Sequence, residues 1–243
     1  MKLIKLNAID STNDFLKKLS QNQSLENFTV VTAKSQWKGK GQMGSSWNTE
    51  KDKNLITSIL INKITDHNIT IFDLNITVAV TIKEALEKYQ IPDLHIKWPN
   101  DIMSGNKKIS GILIENNFKE NQQVESIIGI GLNVNQENFS NLPKASSLKR
   151  ITDKEYNVEE ILFTILDILK INLEKLKKDG KIELWKNYHT YLFKIHKPAV
   201  FEDQKNKKFM GIIQKVNYDG LLEIMMEDDT IQTFGIKEIT MLY

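Results

Sequence analysis

A glycine-rich loop between two predicted strands is the feature that most restricts the fold of this 243-residue chain. Its glycines are spaced Gly39-x-Gly41-x-x-Gly44, which matches the letters of a dinucleotide-binding fingerprint. In that fold the loop leads directly into a helix, whose N-terminus holds the pyrophosphate. Here a charged turn and a second strand follow, and Ser45 stands where a P-loop requires lysine. The loop therefore offers backbone amides to an anion without a helix dipole.

Hydrophobic periodicity predicts an α+β domain with a mixed sheet flanked by helices. The predicted strands cover residues 2–7, 28–33, 55–61, 94–97, 108–115 and 124–133. The predicted helices cover residues 74–89 and 158–176, with Gly180 ending the second. Ser11 precedes apolar residues at helical spacing and has Asp14 three residues later, which predicts a helix N-cap.

The character of the sequence changes after residue 195. From His196 onwards the chain consists of short strand-like segments separated by turns, one of them at 217–220. This pattern predicts a small β-barrel at 196–243, appended to a larger domain at 1–195.

The composition argues against several classes of protein. A formal net charge of +2 gives no general reason to expect a nucleic-acid or acidic partner. The absence of cysteine excludes disulfides, thiolate catalysis and cysteine-ligated metals. The chain runs from Met1 into a short predicted strand without a signal-peptide region, and no stretch is long enough to span a bilayer. We therefore expect a cytoplasmic protein without a membrane partner.

Five polar or glycine-rich segments follow one another in a specific order. They lie at 10–13 (DSTN), 36–47, 97–101 (KWPND), 108–115 and 129–135 (GIGLNVN). Together they resemble the biotin–protein ligases, from about residue 5 to about residue 135, with a looser match to the C-terminus. The resemblance implies a class II synthetase-like catalytic domain, and an SH3-like form for the C-terminal barrel.

The resemblance also implies a two-step reaction. Biotin and ATP, with Mg²⁺ on the phosphates, form biotinoyl-5′-AMP and pyrophosphate. The biotin then passes to a lysine of a biotin carboxyl carrier protein or domain, as in acetyl-CoA carboxylase or another carboxylase. Because the first motif begins at Asp10, we expect no preceding DNA-binding domain and no DNA partner. The sequence leaves open the metal ligands and the choice between monomer and homodimer.

The resemblance assigns three overlapping groups of site residues. The expected catalytic residues are Lys108, Lys40 and Asp101. The expected biotin-binding residues are Ser11, Thr12, Asn13, Gln36, Lys40, Gly41, Gln42, Lys108 and Gly111. The expected ATP- or adenylate-binding residues are Gly39, Lys40, Gly41, Gln42, Gly44, Trp47, Asn100, Lys108 and Asn133. Lysines and amides suit such a site because a carboxylate and a phosphate, both anions, must meet there.

Two adjacent lysines compete for the catalytic position. In a regular strand Lys108 shares one face with Ser110, Ile112 and Ile114, whereas Lys107 points to the other face. The family motif also places its lysine directly before an apolar, a small and a glycine residue, which favours Lys108 over Lys107.

The glycine loop is poor in cations. Arg150 is the only arginine of the chain, so Lys40 stands where relatives usually carry arginine, and Gln42 and Met43 replace further arginines. Lysine keeps the charge but loses the bidentate geometry of arginine. We therefore expect weaker retention of the adenylate, unless a lysine from elsewhere in the fold supplies the missing charge.

Several of these residues also have purely structural interpretations. Residues 11–13 can be explained as nothing more than a helix cap. Trp47 can be a core residue, and residues 100–101 can form an ordinary turn. Gly111 and Gly131 are expected to permit close approach of backbone or ligand.

Two other functions remain open. A lipoate–protein ligase shares the adenylation logic, but the KWPND segment at 97–101 favours biotin. A non-catalytic biotin- or adenylate-binding protein of the same fold is the second alternative. The presence of both Lys108 and Asp101 argues against it.

Overall fold

The computed structural model describes residues 1–62, 69–118, 124–178 and 180–243. Within these ranges the chain forms two β-sheets and five α-helices. The strands are β1 (Lys2–Leu6), β2 (Thr29–Ala33), β3 (Leu55–Asn62), β4 (Leu94–Lys97), β5 (Asp101–Ser104), β6 (Lys107–Phe118), β7 (Val124–Leu132), β8 (Pro198–Asp203), β9 (Lys208–Val216), β10 (Leu222–Met226), β11 (Ile231–Phe234) and β12 (Ile239–Leu242). The helices are α1 (Thr12–Asn22), α2 (Ile71–Lys88), α3 (Leu148–Thr152), α4 (Val158–Lys177) and α5 (Lys181–Thr190).

The larger sheet has seven strands in the order β1-β2-β3-β7-β6-β5-β4. Only β1 and β2 pair in parallel among its named strands, so the sheet is mixed. Its central strands are buried on both faces. Leu60 and Ile127 pack with Leu16 of α1 on one face, while Ile59 and Ile128 belong to the main core on the other. This explains why β3 carries apolar residues at neighbouring positions on both faces, as at Leu55–Ile56 and Ile59–Ile61.

Local capping sets the helix starts. Ser11 is the N-cap of α1, and its Oγ accepts a hydrogen bond from the Asp14 amide at 3.3 Å, as predicted. A reciprocal capping box between Thr70 and Asp73 starts α2 three residues before the predicted position. The Asp73 carboxylate is buried and also accepts from Trp185 Nε1 at 2.7 Å, which ties α2 to α5.

The smaller sheet is antiparallel throughout, in the order β11-β10-β9-β8-β12. Phe201 and Ile224 are buried in the same core as the main sheet. Trp98 Nε1 also donates to the Gly220 carbonyl at 2.9 Å, which joins the two sheets. The predicted fold class, an α+β domain with a small C-terminal β-domain, is confirmed. The division at 195/196 stays a prediction.

The structure differs from the predicted elements in several further places. Asp101 begins strand β5, so residues 100–101 are more than the ordinary turn considered as an alternative. Helices α3 and α5 were not predicted; α5 has a short buried stripe of Leu184, Trp185 and Tyr188 among polar residues. Gly180 does not simply end α4 but lies at the N-cap of α5. Among the described residues, no helix combines the length and the apolar character needed to cross a bilayer.

Candidate active site

A cavity of about 500 Å³ lies between one end of the larger sheet, the glycine loop and the smaller sheet. Its volume falls within the range of small-molecule sites. The structure brings together most of the predicted site residues around it. Those lining the cavity are Ser11, Thr12, Asn13, Gln36, Lys40, Gly41, Gln42, Trp47, Asn100, Asp101, Lys108 and Gly111.

Three predicted residues do not line this cavity. Gly39 and Gly44 belong to the loop but are absent from the cavity wall. Asn133 is buried, and its Nδ2 donates to the Ser146 carbonyl at 3.0 Å. This hydrogen bond gives Asn133 a structural role, because it joins the end of β7 to the segment before α3. We assign Asn133 no ligand contact.

A buried polar cluster forms one end of the cavity. Ser58 Oγ, which is 0% exposed, lies 2.8 Å from Thr12 Oγ1 and 2.6 Å from Asn13 Oδ1. Asn13 Nδ2 donates to Glu115 Oε2 at 2.9 Å. Gln36 Oε1 accepts from the Thr12 amide at 3.3 Å, leaving the Gln36 Nε2 group on the loop side. These contacts fix donors and acceptors in place before any ligand arrives.

Gly129 makes room for this cluster. A Cβ atom at Gly129 would lie 2.5 Å from Asn13 Oδ1, so any other residue would displace the amide. Neither Gly129 nor Ser58 was among the predicted site residues. The sequence signal for Ser58 is weak: it is one of two adjacent hydroxyl residues, Thr57 and Ser58, inside a mostly apolar strand.

A charged pair forms the other end of the cavity. Lys108 Nζ lies 2.6 Å from Asp101 Oδ1, and the Asp101 side chain is 14% exposed. Asn100 sits beside the pair and donates from Nδ2 to the Ile112 carbonyl at 2.6 Å, which holds this turn against β6. Lys107 points away and donates to the Pro143 carbonyl at 2.6 Å. Lys108, and not Lys107, therefore faces the cavity.

The predicted reason for the orientation of Lys108 was wrong. Ile102 pairs with Ser110 and Met103 pairs with Lys108, so Ile109 is the extra residue of a β-bulge. The bulge puts Lys108 on the face opposite Ser110. A Cβ atom at Gly111 would accordingly lie 3.4 Å from Lys108 Nζ.

Trp47 lies across the glycines of the central strands. A Cβ atom at Gly131 would lie 2.4 Å from Cε2 of the indole, and one at Gly111 would lie 3.1 Å from Cζ3. The two glycines therefore make room for an aromatic ring rather than for a backbone segment. Trp47 Nε1 is buried and has no hydrogen-bond partner among the described residues.

The glycine loop is folded on itself. The Trp47 amide donates to the Gly39 carbonyl at 2.8 Å, and the Gly41 amide donates to the Ser45 carbonyl at 2.6 Å. Between them Gln42–Gly44 forms one 3₁₀ turn with Met43 in the left-handed region at φ 54°. The loop consequently bares fewer amides to an anion than the glycine pattern predicts.

Lysines make the cavity cationic. Lys40 forms an ion pair with Asp14 at 2.8 Å, and the hydrogen bond to Asp14 raises the pKa of Lys40. Burial lowers the pKa of Lys97, and the nearby Asp101 opposes that shift. Lys237 of the smaller sheet also lines the cavity, although nothing in the sequence marked it. Such a set of cations suits a phosphate-bearing ligand.

The described part of the structure offers no cluster of side chains for a metal. Across the residues it describes, no group of three or more His, Asp or Glu side chains is arranged to hold an ion. How Mg²⁺ is held, expected to be on the ATP phosphates, stays a prediction.

The chain is similar in sequence to a known protein family and to curated proteins. Residues 6–133 match the Biotin/lipoate A/B protein ligase family. The chain is 33% identical over 135 residues to the bifunctional ligase/repressor BirA of Bacillus spizizenii, and the match covers 56% of this chain and 41% of that protein. It is 23% identical over 241 residues to the Escherichia coli bifunctional ligase/repressor BirA, covering 97% of this chain and 73% of that protein.

The fold matches a solved ligase over almost its whole length. The biotin protein ligase from Aquifex aeolicus in complex with biotin and ATP superposes with a TM-score of 0.82 at 27% identity, covering 99% of this chain and 98% of the other. The family match extends over more than half of the chain and contains most of the cavity-lining motifs. The chain belongs to the biotin/lipoate A/B protein ligase family.

Proposed function

We propose that this protein is an ATP-dependent biotin–protein ligase. It activates biotin to biotinoyl-5′-AMP and transfers the biotin to a lysine of a biotin carboxyl carrier protein or domain. One observation carries the proposal: a single cavity has the polar Thr12–Asn13–Ser58 cluster at one end and the Lys108–Asp101 pair at the other. The similarity to an Aquifex ligase bound to biotin and ATP supports the choice of both ligands.

The polar cluster suits the ureido ring of biotin. That ring presents one carbonyl acceptor and two N–H donors. The hydroxyl of Thr12 and the amide of Asn13 supply donors and acceptors in a buried setting, where unpaired groups are costly, and the half-buried Gln36 adds a second amide. An alkyl carboxylate attached to the ring can then extend along the cavity towards Lys108.

The charged pair suits the chemistry of activation. A biotin carboxylate oxygen attacks the α-phosphorus of ATP, and the bond to the leaving pyrophosphate breaks. Lys108 places a cation where negative charge on the α-phosphate develops, and Lys97 and Lys40 add positive potential nearby. When bound, Mg²⁺ neutralises the phosphate charge.

The transfer step uses the same pair. The amine of the carrier lysine must lose a proton to attack the carbonyl of the mixed anhydride, releasing AMP. Asp101 is the only carboxylate among the described residues lining the cavity, so it is our candidate for orienting or deprotonating that amine. The glycine loop closes the cavity beside the intermediate and limits its hydrolysis, while the Trp47 ring lies against the sheet at the floor of the cavity.

The partner and the setting rest on the family. A biotin carboxyl carrier domain is the macromolecular substrate we propose, and a cytoplasmic location stays a prediction of the sequence. The match spans only 41% of the length of the Bacillus relative. The proposal therefore does not extend to DNA binding or to the oligomeric state.

Pyrophosphate exchange tests the activity directly. We expect the protein to incorporate labelled pyrophosphate into ATP only when biotin is present. Exchange driven by lipoate would indicate the lipoate–protein ligase alternative. Biotin binding measured by calorimetry without any exchange would indicate a non-catalytic binding protein.

Gln36→Ala should weaken biotin binding more than ATP binding. The variant removes an amide at the polar end of the cavity, and we expect loss of ~1 kcal/mol, about fivefold in Kd, measured by calorimetry. Gln214→Ala on β9, which does not line the cavity, is the matched control. Because Gln36 also accepts from the Thr12 amide, the melting temperature must be measured alongside. Unchanged biotin affinity in a folded variant would leave Gln36 with a structural role only.

A further inference from the structure

The turn between β11 and β12 reaches the cavity from the smaller sheet. It is closed by a hydrogen bond from the Gly235 amide to Glu238 Oε2 at 2.6 Å. Within this turn Lys237 adopts the left-handed backbone region at φ 66°. Ile236 and Lys237 of this turn both line the cavity.

The Lys237 ammonium contacts the tip of the glycine loop. Its Nζ donates a hydrogen bond to the Met43 carbonyl, in the middle of the 3₁₀ turn Gln42–Gly44. The Met43 side chain is 62% exposed and therefore does not itself anchor the tip. Gly44 also has open space beside it. The contact joins two segments that are 194 residues apart in the chain.

Other lysines near the loop are held by carboxylates. Lys34 pairs with Asp52 at 3.2 Å, and Lys38 pairs with Asp10 at 2.8 Å. Neither of these two lysines lines the cavity. Lys237 makes no ion pair with a carboxylate in the part of the chain that the structure describes, so its charge is available to the loop.

We propose that Lys237 is a positioning residue that holds the tip of the glycine loop over the cavity and thereby slows release of the adenylate. The loop has no cation at Gln42 or Met43, and Lys237 reaches the same turn from the smaller sheet. The identity of the retained ligand as the adenylate rests on the proposed function. The contact between Lys237 and the Met43 carbonyl does not. The smaller sheet thus contributes directly to retention of the intermediate.

If Lys237 holds the loop tip in this way, removing its ammonium group should produce a measurable change in the ligand-free protein. Lys237→Met keeps the aliphatic stem and removes the donor, so amide hydrogen exchange in the peptide covering residues 38–47 should become faster without ligand. Lys237→Arg should restore the slow exchange because guanidinium also donates. Lys208→Met, at an exposed position on β9 away from the cavity, is the matched control and should equal wild type.

The same variants should change release of the intermediate. After formation of biotinoyl-5′-AMP from biotin and ATP, its release from Lys237→Met should be about tenfold faster than from wild type, the lower end of the range for one charge-assisted hydrogen bond. Lys237→Arg should again restore slow release. The proposed role of Lys237 would be overturned if a folded Lys237→Met variant showed unchanged amide hydrogen exchange in the loop and unchanged release of the adenylate. If wild type forms no adenylate, the proposed function fails, while the exchange measurement still decides on Lys237.

Discussion

Lys108→Ala should slow biotin-dependent pyrophosphate exchange by about a hundredfold, corresponding to ~3 kcal/mol of transition-state stabilisation. The variant removes the cation closest to Asp101, whose side chain is only 14% exposed. Asp101 then presents an unpaired negative charge to the incoming phosphates, which adds repulsion to the lost attraction. Steady-state exchange with saturating biotin and ATP measures the effect.

Lys107→Ala is the matched control for this prediction. Lys107 is adjacent in sequence but donates to the Pro143 carbonyl, so its loss should leave exchange near the wild-type rate. A folded Lys108→Ala protein with nearly normal exchange would refute the assignment. A large loss in Lys107→Ala instead would mean that the bulged register of β6 does not hold in solution.

Gly131→Ala should lower the affinity for the adenylate by between about fivefold and about 150-fold, matching the roughly 1–3 kcal/mol cost of forcing an extra methyl into a packed site. The new Cβ would lie 2.4 Å from the Trp47 indole, so the ring must leave the floor of the cavity. The loop that carries Trp47 then loses its packing contact with the sheet. Binding of a non-hydrolysable adenylate analogue by calorimetry measures the change.

A graded series and a double variant separate this mechanism from general misfolding. Gly111→Ala meets the same ring at 3.1 Å and should have a smaller effect than Gly131→Ala. In a Trp47→Ala background, Gly131→Ala should lower the affinity for the adenylate analogue little further, because the ring that clashes with the new methyl group is absent. Fully additive losses, or a large fall in melting temperature for Gly131→Ala alone, would show that the glycine serves the sheet and not the tryptophan.

Much of the architecture could be predicted from local signals. The helix starting at Val158, the strand at Leu94–Lys97 and the Ser11 cap follow from periodicity and capping chemistry, which act over a few residues. Most of the motif residues also lie around one cavity, with Gly39, Gly44 and Asn133 as exceptions. A Thr70-x-x-Asp73 capping box was readable too, and recognising it would have placed the start of α2 correctly.

The sequence by itself determined the fold class, the family and the residue types of the site, because motif order and hydrophobic pattern are written along the chain. Only the tertiary structure decided which groups meet. The bulge at Ile109 turns Lys108 towards Asp101, Gly131 seats the Trp47 ring, and Lys237 reaches Met43 across 194 residues. These contacts depend on strand register and on the packing of one sheet against another. Neither leaves a periodic trace in the sequence, since each is set by partners that are distant along the chain.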